Sequence, residues 1–137
     1  MDLQRFVQAQ DPVFENVLAE LRAGQKRTHW MWFVFRQIAG LGMSPMAQHY
    51  AITGRAEAAA YLTHPVLGPR LLACTTLVNA VQGRTAREIF GPVDELKFCS
   101  SMTLFAQTAG DPGVFDQALE KYFADARDER TIALLDA

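Results

Sequence analysis

The chain is defined first by what it does without. It has only two cysteines, Cys74 and Cys99. They lie too far apart in sequence for a CxxC motif, so neither a redox pair nor a zinc knuckle is encoded. Each reads as a small hydrophobe with a reduced thiol. The first ten residues, MDLQRFVQAQ, lack the basic-then-apolar pattern of a signal peptide, so a cytoplasmic location is expected. The apolar run Trp30–Phe35 spans six residues. A bilayer crossing needs about twenty, so no membrane contact is expected. Thirteen basic residues against fifteen acidic ones leave a net charge of −2, which gives no strong signal for nucleic acid. His29, His49 and His64 are not spaced as HExxH, and no Cys/His cluster exists, so no metal and no cofactor are expected. GxGxxG, Walker and GxSxG signatures are absent too.

What is present is helical grammar, repeated. In DPVFENVLAELRAGQ, Asp11 is a candidate cap and Pro12 fits a first helical position. Phe14, Val17, Leu18 and Leu21 then fall on one helix face, and Gly24 ends the run. Thr28 is placed to cap an aromatic helix ended by GLG. Ser44-Pro45, Thr53 and Thr85 open further helices, and the long run that contains Leu71 and Val78 stops at Gly83. A second Asp-Pro opening precedes Phe115, Leu119, Tyr122 and Phe123. No segment alternates convincingly as a strand, although MWFVF is short enough to be ambiguous. The expectation for residues 1–137 is a single compact, orthogonal all-α domain of about eight helices.

The segment THWMWFVFRQIAGLG, residues 28–42, is apolar around most of its circumference. A helix of that kind belongs in a core. Trp30 and Trp32 cannot point the same way on a helix, so one is expected inside and the other at a pocket or groove.

A polar constellation stands out in DELKFCSSMTLF. Asp94, Lys97 and Ser101 share one helix side at spacings of three and four, among residues otherwise mostly apolar. A buried ammonium needs a partner, and Asp94 is the nearest in sequence. The three form a candidate catalytic cluster, with Ser101 or Asp94 reactive and Lys97 as electrostatic support. His29 or His64 is expected to approach it from another helix. His64 precedes Pro65 at a helix start, where a neutral imidazole is favoured. Arg70 follows and suits an anion near that helix end.

Four stretches, HWMWF, GLGMSPMAQHYAI, AYLTHPVLGPRLL and EIFGPVDELKFCSSMTLF, together resemble the bacterial family catalogued as domain of unknown function 1810. The resemblance runs from about Phe14 to Phe123. It implies a mostly helical fold but names no activity. His29, Trp30, Trp32, Gln37, His64, Arg70, Asp94, Lys97 and Ser101 match the pattern. One position departs: Arg36 stands where the pattern has Pro, and without that stop the helix is expected to run a turn further.

Two functions compete on this reading. The first is binding, or binding and hydrolysis, of a small anionic or nucleotide-like molecule. Its pocket is walled by Trp30 and Trp32 and furnished by His29, Gln37, His64 and Arg70 around the Asp94–Lys97–Ser101 cluster. The second is a protein-interaction module that uses residues 29–37 as an anchor. Either way, far-UV circular dichroism should show helical minima; a strand-dominated spectrum would contradict the fold assignment.

Overall fold

The computed structural model describes residues 2–137. Ten helices follow one another: α1 (Gln4–Gln10), α2 (Phe14–Arg22), α3 (Met31–Val34), α4 (Pro45–His49), α5 (Arg55–Thr63), α6 (Leu67–Ala80), α7 (Ala86–Phe90), α8 (Asp94–Thr108), α9 (Gly113–Phe123) and α10 (Glu129–Asp136). The all-α class holds. The count exceeds the eight expected from sequence, chiefly because α1 hides in a polar segment. Only Phe6, Val7 and Gln10 of that helix are buried.

Helix α8 organises the rest. It packs against α5, α7, α9 and α10, while α6 packs against α2, α5 and α9. From Ser100 to Ala106 its side chains are buried without interruption, as befits a helix with neighbours on most sides. The aromatic centre lies at its start. Phe98 meets Phe35 at 4.9 Å and Phe90 at 4.7 Å, centroid to centroid. Both distances suit favourable ring packing.

Local signals were honoured unevenly. Ser44 caps α4 through Ala47 N–H, with Pro45 in its first turn. Thr85 and Glu88 form a reciprocal capping box on α7. Asp11, by contrast, caps no helix start. It sits at the C-terminal end of α1 and binds Arg70 at 2.8 Å. Thr28 does not cap α3; its hydroxyl donates to Glu20 instead.

The aromatic segment is helical for only four residues, Met31–Val34. Arg36 does not prolong it. Phe35 leaves the helix at φ −104°, ψ 82°, outside the helical region. Beyond it the chain pairs with residue 52. Ala39 N–H donates to Ile52 C=O at 2.8 Å, and Ile52 N–H to Gln37 C=O at 2.9 Å. This single parallel bridge, Ile38 to Ile52, is the extended pairing among the described residues.

Gly68 lets α6 start hard against the end of α5. A Cβ at that position would run into the Leu62 carbonyl oxygen, a backbone atom that cannot swing aside. Gly68→Ala should therefore destabilise the fold by about 1–3 kcal/mol in urea unfolding. An unchanged midpoint would show that the two helices have slack here.

Candidate functional site

The abrupt end of α3 creates the site. Trp32, Arg36 and Gln37 come to face Ala47 and Tyr50 at α4, and Lys97 in the first turn of α8. Between them is a cleft with a void of about 10 Å³, enough for one water-sized group. Gln37 and Lys97 also line a wider groove of about 510 Å³. That groove continues past Leu41, Val93, Leu96, Cys99 and Ser100 to Arg127, Asp128 and Arg130.

Arg36 is the unusual member of the cleft. Its relative exposure is 1%. Its Nε donates to the Tyr61 hydroxyl at 3.3 Å and its Nη1 to the Tyr50 carbonyl at 3.1 Å. Its guanidinium lies 3.8 Å from the centre of the Phe6 ring. No carboxylate pairs with it among the described residues, and its Nη2 is buried without a hydrogen-bond partner. Burial pushes its pKa below the ordinary value, partly offset by Tyr61. Native proteins seldom leave a buried donor orphaned. An arginine keeps its charge even so. The result is a fixed positive wall with one donor nitrogen unused.

Lys97 adds a second cation. Its Nζ lies 4.5 Å from the Trp32 ring centre and 3.6 Å from Asp94 Oδ1. Asp94 is held more closely by Lys26, at 2.9 Å to Oδ2. One carboxylate thus serves two ammonium groups, which leaves the region around Lys97 short of negative charge.

The expected cluster is therefore only half assembled. Asp94 and Lys97 do meet. Ser101 is fully buried with its Oγ unpartnered. Neither histidine joins them. His29 is exposed. His64 accepts at Nδ1 from the amides of Val66 and Leu67, so it satisfies donors at the start of α6. Arg70 is engaged by Asp11 and by Gln10 Oε1 at 3.4 Å. It does not line the cleft, yet it is linked to it. Gln10 Nε2 donates to the same Tyr61 hydroxyl that receives Arg36. The two tryptophans divide as their spacing required. Trp30 is buried in the core, away from the cleft, and Trp32 is the half-buried wall.

Sequence reasoning treated Arg36 as a matter of helix length and missed its role in the wall. The visible signal was a charged residue following an apolar run. It also missed Glu20. That carboxylate accepts from the Arg27 and Thr28 amides, the Thr28 hydroxyl and the Trp30 indole, all within 3.0 Å. These bonds fix the loop from which Lys26 reaches Asp94. Burial alone would raise the Glu20 pKa, but the four donors outweigh it and bring it from 4.5 to about 2. The thiols are not activated: burial pushes Cys74 up to about 12 and raises Cys99 as well. Among the described residues there is no cluster of three or more potential metal ligands, and no helix is long and apolar enough to cross a membrane.

Comparison with known proteins places the chain in context. A family model described as "Protein of unknown function (DUF1810)" matches residues 1–135. Among solved structures, the chain is similar to the conserved hypothetical protein Rv1873 from Mycobacterium tuberculosis. The identity is 58% and the TM-score 0.98, over 99% of this chain and 97% of that one. No curated protein matches.

The Glu20 staple gives a pH prediction. A carboxylate whose pKa is depressed by folding stabilises above its unfolded value and loses that contribution as pH falls towards its folded one. Melting temperature should fall between about pH 5 and about pH 2.5, and fall less steeply in Glu20→Gln. Parallel curves would contradict the staple.

Proposed function

The chain belongs to the DUF1810 family, and we propose that it binds a small organic anion in the cleft between Trp32, Arg36, Gln37 and Lys97. The observation that carries this reading is the buried Arg36, which lines the cleft, has no carboxylate partner and has an Nη2 without a hydrogen-bond partner. An incoming anion supplies the missing acceptor. Bonds between ions are shorter and stronger than neutral ones, and the apolar surroundings strengthen them further. Lys97 supplies a second charge without abandoning a needed partner, because Asp94 keeps Lys26. Gln37 offers an amide at the same opening.

Binding fits this geometry better than hydrolysis does. A serine nucleophile needs an adjacent base, and the Ser101 hydroxyl has no hydrogen-bond partner. The aromatic stretch supports binding over a protein anchor. Trp30, Met31, Val34 and Phe35 are committed to the core, which leaves Trp32 and Phe33 partly exposed.

A buried, uncompensated charge is a liability when no ligand is present. Arg36→Met should keep the fold and raise its stability by up to about 3 kcal/mol, since apolar replacements of buried charged groups are often neutral or stabilising. The test is a thermal-shift series with acetate, inorganic phosphate, citrate and AMP at constant ionic strength. At least one anion should raise the melting temperature of the unmodified protein, as any ligand specific to the folded state does. Arg36→Met and Lys97→Met should abolish that rise. Anion shifts that survive both substitutions would overturn the reading.

A further inference from the structure

We infer that the anion is an amphipathic carboxylate, an aliphatic acid whose head meets Arg36 and Lys97 and whose chain lies in the adjoining groove. This rests on the anion-binding reading above and adds the chemical class of the ligand.

The size of the cleft comes first. A void of about 10 Å³ takes one water-sized group. A carboxylate can seat one oxygen there and present the other to Lys97. The remainder of any ligand must lie outside. The cleft shares two lining residues, Gln37 and Lys97, with the groove of about 510 Å³. That volume is in the range of small-molecule sites, about 300–1,000 Å³.

The groove's chemistry comes second. Leu41, Val93 and Leu96 line it, with Val93 at 64% and Leu96 at 66% exposure. Met43, the most exposed large hydrophobic residue described, at 80%, directly follows the lining residue Gly42. Scattered exposed leucines need no explanation, but apolar side chains gathered along one concavity mark a binding surface.

The third point separates an aliphatic ligand from a nucleotide. No aromatic residue lines the groove. Trp32, in the cleft, already has the Lys97 ammonium over its ring. Phe33 is packed edge-on against Tyr50 at 4.9 Å. A base would find no vacant ring to stack on among these residues, whereas a methylene chain needs none. Nor does the far end demand a second anionic group. Arg127 is held by Asp116 and Asp125, and Asp128 by the hydroxyls of Ser100 and Thr131. Arg130 stands exposed at the rim, where a cation draws anions towards the opening.

The test is isothermal titration of the full chain with acetate, hexanoate, octanoate and decanoate below their micellar concentrations. AMP and decyltrimethylammonium serve as controls. Affinity should rise by about three- to four-fold for each added methylene until the groove is filled. Arg36→Met should weaken every acid in the series. Leu96→Ser, at an exposed position, should flatten the dependence on chain length. Equal affinities for acetate and decanoate would overturn the aliphatic assignment and leave anion binding standing. AMP binding without carboxylate binding would also overturn it. So would a decyltrimethylammonium affinity equal to that of decanoate, since the tail alone would then suffice. If none of the anions binds, both this inference and the anion-binding reading fall.

Discussion

A guanidinium buried without a counter-ion is the constraint around which one end of this molecule is arranged. Arg36 is surrounded by partial substitutes for an anion. Phe6 of α1 offers its ring face, Tyr61 of α5 its hydroxyl oxygen, and Tyr50, after α4, its carbonyl. The other guanidinium near Phe6, that of Arg5, lies 4.0 Å from the same ring centre and pairs with Glu57 at 3.7 Å. Three helices are thereby tied to one side chain. Each cation–π contact contributes about 0.5–2 kcal/mol. Burying an unpaired charge costs several kcal/mol even after relaxation. Carbonyls and rings offset that cost in part, and the unused Nη2 records the remainder.

The surroundings of Lys97 extend the same imbalance. Lys26 and Lys97 share Asp94 as their paired carboxylate. The acid is held by Lys26, which in turn depends on the Glu20 staple for its position. Loop geometry, charge distribution and the cleft are thus linked: Glu20 fixes residues 27–30, Lys26 occupies Asp94, and Lys97 is left to Trp32 and the cleft. A charge buried without a counter-ion costs folding stability.

Much of the fold was legible because it is written locally. Ser44-Pro45 and Thr85 announced their helices, and the apolar content of α8 announced its burial. Failures came where a residue's partner is distant in sequence. Asp11 reads as a cap until Arg70, far along the chain, claims it. Thr28 reads as a cap until Glu20 takes its hydroxyl. His64 was visible as a helix-start residue, and its two backbone bonds leave it in that role. The site was legible in part for the same reason. Trp32, Gln37 and Lys97 were singled out and do share the cleft. The pairing of Lys26 with Asp94 was invisible, since nothing local connects the loop after α2 with the start of α8. Arg36 was noticed only as a missing proline. Neither spacing nor composition says that a charged side chain will fold inward rather than snorkel out.

On the proposed reading, the Arg36 guanidinium awaits an external anion. Nitrogen-detected NMR of arginine side chains tests it most directly. Titration with octanoate should shift the Arg36 guanidinium resonances saturably, while those of Arg70 and Arg127, already paired with aspartates, stay nearly unmoved. Arg36 resonances that do not respond to the titration, or that shift no more than those of the surface arginines, would contradict it.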